Sequence, residues 1–420
     1  TQGQSLDEVK ALMLGEIDNL KKGNFDDNLI TSIINNQKKN KILGTESYGS
    51  RASDLMDAFT SELDWKEQVA YTDLLSKITK KDIVAFANKY FGENYVAVLK
   101  RKGENKDISK VEKPPITPVE TNRDAQSDFV KQVNNMPATA VKPVWLDYNK
   151  DVQKAKIGPA EVLYVQNTDN SLFRLRYRFE MGTWNNKKLS LAAQYLQFLS
   201  TDKMSAEEIT KAFYEIACSF NVSASSEFTT VTIEGLQENF TKAVKLFEDV
   251  LKNSKENEEA LKSLKARIIK SRTDAKVNKG AIMSGLVNYA RFGRNNPFNY
   301  TLSDADLNAT TAAELVSILH NLNSYPHKIL YYGPQPLAQF TAGLKTVHTI
   351  PASFKPVPAK VNFTNLTQTS NQVLFADYNM VQAEVRWVRN ASAYSSDAEP
   401  VVDIFNNDFS GGMGSLVFQT

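Results

Sequence analysis

Cysteine and histidine are scarce: one cysteine, Cys218, and three histidines, His320, His327 and His348, in 420 residues. A single cysteine excludes an internal disulfide framework and any cysteine-based structural zinc site. A site of three histidine ligands would need every histidine in the chain. An excess of either charge is missing too, since 50 Lys+Arg against 48 Asp+Glu leaves +2. That balance argues against a nucleic-acid binder relying on bulk charge. No apolar run approaches the ~18 residues of a membrane span; stretches such as residues 95–99 are strand-sized. Thr1-Gln2-Gly3-Gln4 has no initiator Met, no charged n-region and no apolar h-region, so it does not read as a signal peptide. The expectation is an interior piece of something larger, soluble and without a membrane span. With 42% apolar and 23% charged residues, a packed core is within reach. At roughly 150 residues per domain the length alone suggests about three domains.

The first hundred residues read as helical. Ser5-x-x-Glu8 is a capping box, Leu6, Val9, Met13, Ile17 and Leu20 follow at helical spacing, and Gly23 sits where a C-terminal cap belongs. Further helices are expected over residues 26–34 and 52–59 and after Thr79-x-x-Asp82, the last leading to a strand at 95–99 and a stop at Gly103. Between residues 105 and 155 prolines interrupt a polar, Lys-rich stretch, too long for an ordinary loop. Its apolar residues Phe129, Val130, Val144 and Trp145 suggest a linker lying along a surface.

The next segment reads as a complete α+β unit. Phe173, Leu175, Tyr177 and Phe179 alternate with Arg174, Arg176 and Arg178, the mark of an antiparallel sheet with one face packed and one wet. Strands are also expected at 162–165, 221–225 and 229–234. Helices are expected at 189–199, after the capping box Ser205-x-x-Glu208, and at 238–252 and 256–276. After a Pro-containing connector over residues 334–358, strands are expected at 373–375 and 381–388, then a helix at 400–409 running into Gly411-Gly412-Met413-Gly414-Ser415.

An internal repeat organises these pieces. Leu75, Thr79, Asp82, Ile83, Val84 and Phe86 match Leu307, Thr311, Glu314, Leu315, Val316 and Ile318 at a constant offset of 232 positions. Each copy is a Thr-capped helix leading to a strand and a glycine, Gly103 or Gly333. Phe173, Leu175 and Tyr177 match Ala383, Val385 and Trp387 at an offset of 210. The implied unit is a little over 200 residues, so the chain holds the end of one unit, all of the next and the beginning of a third.

This arrangement resembles the insulinase/pitrilysin family of zinc metallopeptidases, the inverzincins. The strongest pieces are "ITKKDIVAFANKYFGENYVAVLKRKG" (residues 78–103), similar to the closing helix and strand of a family unit, and "FNNDFSGGMGSLVFQT" (405–420), similar to the family's G-G-G-M-S-S-x-x-F turn. "LDEVKALMLGEIDNLKKGNF" (6–25) resembles the helix before the closing part of a unit. The resemblance implies an α+β fold of repeated units, each an antiparallel sheet packed on helices, as in the processing peptidases. It divides the chain into residues 1–104, the C-terminal part of a second unit; 105–155, an extended linker; 156–350, a complete third unit lacking zinc ligands; and 355–420, the N-terminal part of a fourth.

In the family, H-x-x-E-H on a helix of the first unit supplies two zinc ligands and the general base, and a distal Glu the third ligand. No H-x-x-E-H occurs in this chain. The corresponding helix of the third unit reads Leu191-Ala192-Ala193-Gln194-Tyr195, and the helix that would hold the third ligand reads Arg267-Ile268-Ile269-Lys270-Ser271-Arg272. The resemblance therefore implies a packing copy: zinc belongs to the parent protein outside this chain, no cofactor or catalytic residue belongs to it, and the chain alone is expected to be inactive. It also implies a peptide or unfolded-protein substrate, the remaining units of the same peptidase as partners, and a periplasmic or envelope location. In the family, residues after the Gly-rich turn help bind substrate, so Gly411, Gly412, Met413, Gly414 and Ser415 are the candidate substrate-binding residues.

Plainer alternatives stand beside these. The glycines could form a phosphate loop, but no Gly-Lys-Ser/Thr follows; a plain turn remains open. Arg174, Arg176 and Arg178 are either a positive stripe that attracts acidic peptides or a solvated sheet face. His320 and His327 read as capping or surface residues, and Cys218 as a small core residue at a helix end. For the whole chain, a scaffold or inactive subunit related to the processing-peptidase and core proteins, or a peptide-binding module using sheet-edge addition without hydrolysis, competes with the peptidase reading.

Overall fold

The alternation over the arginines folds as it demands, into the middle of a six-stranded sheet. The computed structural model describes residues 3–101, 103, 112–117, 125–137, 139–379, 383–412 and 414–419. Five helices come first: α1 (Leu6–Lys22), α2 (Asn28–Thr45), α3 (Tyr48–Thr60), α4 (Trp65–Leu75) and α5 (Lys80–Tyr90). A short α6 (Asp128–Asn134) follows. The central unit runs β1 (Gln153–Ile157), β2 (Ala160–Gln166), β3 (Leu172–Phe179), α7 (Leu189–Leu196), α8 (Ala206–Glu215), β4 (Cys218–Ala224), β5 (Thr229–Leu236), α9 (Phe240–Asn253), α10 (Glu258–Ala275), α11 (Lys279–Phe292), α12 (Asp304–Ala309), α13 (Ala312–His320), β6 (His327–Gly333) and α14 (Leu337–Lys345). Near the C-terminus lie α15 (Glu399–Ser410) and α16 (Leu416–Gln419).

The strand order is β1-β2-β6-β3-β5-β4. All neighbours are antiparallel except β2 and β6, which run parallel. Register lines up the inward residues in rows: Tyr164 beside Tyr331, Tyr331 beside Leu175, and Leu175 beside Ile233. A second row joins Val162, Ile329, Tyr177 and Val231. All eight are buried, and they form one core with the inner faces of α7, α9 and α13. The arginine face is the wet one, as period-2 patterning requires.

Local chemistry sets the helix starts. Ser5, Thr79, Ser205 and Thr311 each cap a helix and complete a capping box with Glu8, Asp82, Glu208 and Glu314. Both Thr-capped copies of the repeat therefore begin alike, but they end differently. The copy after Thr311 leads into β6 at the centre of the sheet. Residues 95–99, expected as the matching strand, form none, and Val96 and Val98 are each 90% exposed. A strand needs a ladder partner, and among the described residues none lies beside this segment.

The same reason overturns the strands expected at 373–375 and 381–388. Residues 373–375 and 383–388 carry no regular structure, with Trp387 97% exposed, and residues 381–382 lie outside the described residues. The linker reading also changes. Phe129, Val130, Val144 and Trp145 are exposed and not laid along a surface, and β1 begins at Gln153, inside the stretch expected as linker. Three helices of the central unit, α11, α12 and α14, were not expected, and α14 lies within the Pro-containing connector. Cys218 opens β4 instead of ending a helix, though it is buried as expected.

Gly235 is required where β5 passes β4. A Cβ there would lie 2.5 Å from Cys218 Sγ and 2.7 Å from the Ala217 carbonyl oxygen. Gly235→Ala is expected to cost about 2 kcal/mol through overpacking, read from the urea midpoint at unchanged m-value. A midpoint equal to that of the parent chain would show that this crossing is not tight.

Candidate functional site

Helix α7 carries Leu191, Gln194 and Tyr195, the positions that the resemblance sets against the family's metal ligands and general base. Its fourfold spacing puts Leu191 and Tyr195 on one face, and that face turns into the core: Leu191 is 3% exposed and Tyr195 fully buried. Tyr195 Oη donates to the Asn257 carbonyl at 2.8 Å and accepts from the Asn257 N–H at 2.7 Å, tying α7 to the start of α10. Burial raises the Tyr195 phenol above its ordinary value. Gln194 points outward, its amide returning to Ser190 O and Oγ.

On α10, where a third ligand is expected, Arg272 pairs with Asp304 and donates to the Leu302 carbonyl at 2.7 Å, while Lys270 meets Asp274 at 2.6 Å. A leucine, an amide, a phenol locked into backbone bonds and a basic helix do not make a zinc donor set. Among the described residues no group of three or more His, Cys, Asp and Glu side chains is arranged to hold a metal ion.

Beside Gln194 opens a groove of about 450 Å³ between α7, α8, β4 and α2. Ile209, Phe213, Phe220 and Val250 give it an apolar floor, and Asn36, Lys39 and Gln197 a polar rim. Phe213 and Phe220 rings lie 4.8 Å apart, and Phe220 rests on Phe247 at 5.3 Å. Asn36 anchors α2 at the rim by donating to the Tyr214 carbonyl at 2.7 Å. Cys218 lines the groove, but burial pushes its thiol up to about 12, so it is no thiolate nucleophile at neutral pH. β4 is the edge of the sheet, so half of its backbone donors and acceptors face away from β5 along this groove.

The arginine stripe is partly engaged. Arg174 meets Glu46, the residue that caps the C-terminus of α2, at 2.7 Å and Glu234 at 3.6 Å. Burial pushes the Glu46 carboxyl up, but the hydrogen bonds from Asn170 and Arg174 outweigh it and leave the group below its ordinary value. Arg178 stacks over Phe228 at 3.8 Å. Arg176 stays exposed on the open face.

The Gly-rich turn is held by local bonds. The Gly411 N–H donates to Asn407 O at 2.9 Å, Gly412 adopts φ +102°, and Ser415 is buried with Oγ donating to Gly412 O at 2.8 Å. Gly414 is exposed, and Met413 lies outside the described residues. Gly411, Gly412, Gly414 and Ser415 lie between α15 and α16.

The histidines divide. His320, at the exposed end of α13, has Nε2 3.1 Å from the Ser254 carbonyl oxygen and 3.2 Å from Ser254 Oγ. His327 is not a surface residue: it is 4% exposed, opens β6 and faces His348, itself 3% exposed, inside the core. The strand register held the missed signal, because His327 shares the inward parity of Ile329 and Tyr331.

These features define an α+β peptidase-like unit whose would-be metal helix is built for packing. Residues 183–305, from just after β3 to the first residues of α12, match the family model of the Insulinase (Peptidase family M16), and over that span the resemblance read from the sequence holds. No curated protein matches the chain significantly. Among solved structures it is similar to a peptidase M16 inactive domain from Pseudomonas fluorescens, at 18% identity and TM-score 0.42, covering 50% of this chain and 54% of that one. A protease from Helicobacter pylori gives 16% identity and TM-score 0.43, covering 52% and 55%. The periplasmic protease PqqL from Escherichia coli gives 12% identity and TM-score 0.47, covering 88% and 41%. The chain thus spans about half the length of these structures, or less. Among the described residues no helix is long and apolar enough to cross a membrane.

Proposed function

We propose that this chain is the non-catalytic central portion of a zinc metalloendopeptidase that cleaves peptides or unfolded segments, and that it supplies chamber wall and a substrate-confining surface. The observation that carries the reading is the inward turn of Leu191 and Tyr195 on α7, in a segment that matches a peptidase family. Zinc resides in another unit of the parent, outside these residues. Residues 1–104 and 355–420 are parts of flanking units. Gly411, Gly412, Met413, Gly414 and Ser415 deliver the following segment toward substrate. The partners are the remaining units of the same peptidase, in the periplasm or cell envelope.

The purified chain is expected to hold no stoichiometric zinc by elemental analysis and to hydrolyse no unfolded protein. Zinc at one equivalent together with chelator-sensitive hydrolysis would overturn the proposal. One observation favours a second reading, a peptide-binding module without hydrolysis: the apolar groove lies along the open edge of β4, where an extended peptide finds backbone partners and a side-chain pocket. Micromolar binding of unfolded peptides by this chain alone, weakened by Phe220→Asp in the groove floor, is the result expected of that module.

A further inference from the structure

Three remote pieces of chain bring ionisable groups together inside the central unit. Glu248 comes from α9, His327 from the first residue of β6, and His348 from the turn after α14. His327 Nδ1 lies 2.8 Å from the Tyr325 carbonyl oxygen, and His348 Nδ1 lies 2.7 Å from Glu248 Oε1. The two Nε2 atoms are 3.1 Å apart. The His348 side chain is fully buried and that of Glu248 is 13% exposed.

The hydrogens can be counted from these partners. A carbonyl oxygen and a carboxylate oxygen only accept, so each Nδ1 carries a hydrogen. A neutral imidazole has one N–H. Two neutral rings would therefore set lone pair against lone pair at 3.1 Å, with both rings buried. The contact becomes a hydrogen bond only when one ring holds a second hydrogen, on Nε2. Asn323 Nδ2 donates to Glu248 Oε2 at 2.9 Å, which favours the carboxylate over the acid.

We propose that His327 and His348 bind one proton between their Nε2 atoms, neutralised by Glu248, and that this proton latches the segment after α14 onto the central unit.

The surroundings suit a single cation. Tyr177 stacks on the His348 ring at 4.1 Å and 20°, presenting a π face to it. Phe179 and Phe354 close on His327 at 4.8 and 5.2 Å. Of the described side chains in printed contact with the pair, Glu248 supplies the one carboxylate, bonded to His348 Nδ1. The buried Tyr177 hydroxyl stays protonated, its pKa raised well above the ordinary value by burial and then by the charge and hydrogen bonding of Glu248. A second proton is refused: burial, helped by the His348 charge, lowers His327 to about 4. The latched segment seats Ile350, Phe354 and Val357 against the core, and its Lys355 N–H donates to the Ser324 carbonyl at 2.8 Å. Loss of the proton or gain of a second one sets like against like in the core, and residues 346–357 release. The proposal stands independently of the peptidase reading.

Histidine-selective 15N NMR on the whole chain tests it, because only three histidines contribute and His320 serves as the exposed reference. At pH 7 one ring of the pair should show the imidazolium pattern and the other a neutral ring protonated at Nδ1. Glu248→Gln keeps an acceptor for His348 but removes the charge. It should abolish the imidazolium pattern and raise hydrogen exchange over residues 346–357 at least tenfold. Two rings of the Nε2–H tautomer, an imidazolium signal unchanged in Glu248→Gln, or one equivalent of metal in place of the proton would each overturn the proposal. If the variant does not fold, the wild-type spectrum decides alone.

Discussion

Replacing Phe240 with alanine is expected to destabilise the central unit by about 4 kcal/mol. Phe240 opens α9 and is 3% exposed. Its ring meets Phe173 of β3 edge-on at 5.0 Å, and Tyr331 of β6 and Phe340 of α14, each at 5.9 Å. Tyr331 and Phe340 stack at 4.0 Å on its flank. One side chain thus fills the junction of four elements, and the rigid rings around it relax poorly into the space it leaves. Trp184 fluorescence through a urea titration reports this unit, since Trp65, Trp145 and Trp387 are exposed and Trp184 is not. A loss below about 1 kcal/mol would show that α14 is not seated on the sheet as described.

The second large effect is a dependence on pH. His327 is lowered to about 4 in the folded chain, first by burial and then by the charge of His348, with the Tyr325 carbonyl opposing. Unfolded, the same side chain titrates near ~6.5. Between those values the unfolded chain binds a proton that the folded chain refuses. Stability from this group is therefore complete above about pH 6.5 and falls as pH drops toward 4, by roughly 3 kcal/mol in all. His327→Gln removes the titration, so the stability difference between variant and parent should shrink across that window. Parallel stability–pH curves for the two chains would refute the assignment.

The sequence carried the middle of the central sheet, with β3 and β5 expected nearly as they stand, while β1 fell inside the expected linker and β4 begins three residues earlier than expected. Leu172–Phe179 was legible because two-residue alternation has one solution when a sheet is half buried, and the capping boxes were legible because a cap is local chemistry. What failed was non-local. Residues 95–99 and 383–388 have strand composition, but a strand is a relation between two segments, and composition says nothing about whether the second is at hand. The groove suffered the same limit: Gln194 and Tyr195 sit one residue apart, yet one lines a surface and the other holds the core. His327 shows a third case. Its neighbours in sequence suggested a turn, while the feature that decides its chemistry, Glu248 acting through His348, comes from elements far away in the chain.

The place of β6 has a bearing on how the chain acquires this structure. β6 is the last strand of the sheet in sequence, yet it lies between β2 and β3. Before it arrives, the β1–β2 pair and the three strands β3–β5–β4 are two separate pieces, each with an open inner edge. Joining them closes a loop that spans most of the unit, so the final step carries a high contact order and is slow. During synthesis that gap lasts until Gly333 has emerged, and the inner edges of β2 and β3 are the surfaces most prone to wrong pairing meanwhile. A chain halted before His327 would hold two half-sheets and no core, which makes β6 the segment whose arrival commits the unit to its fold.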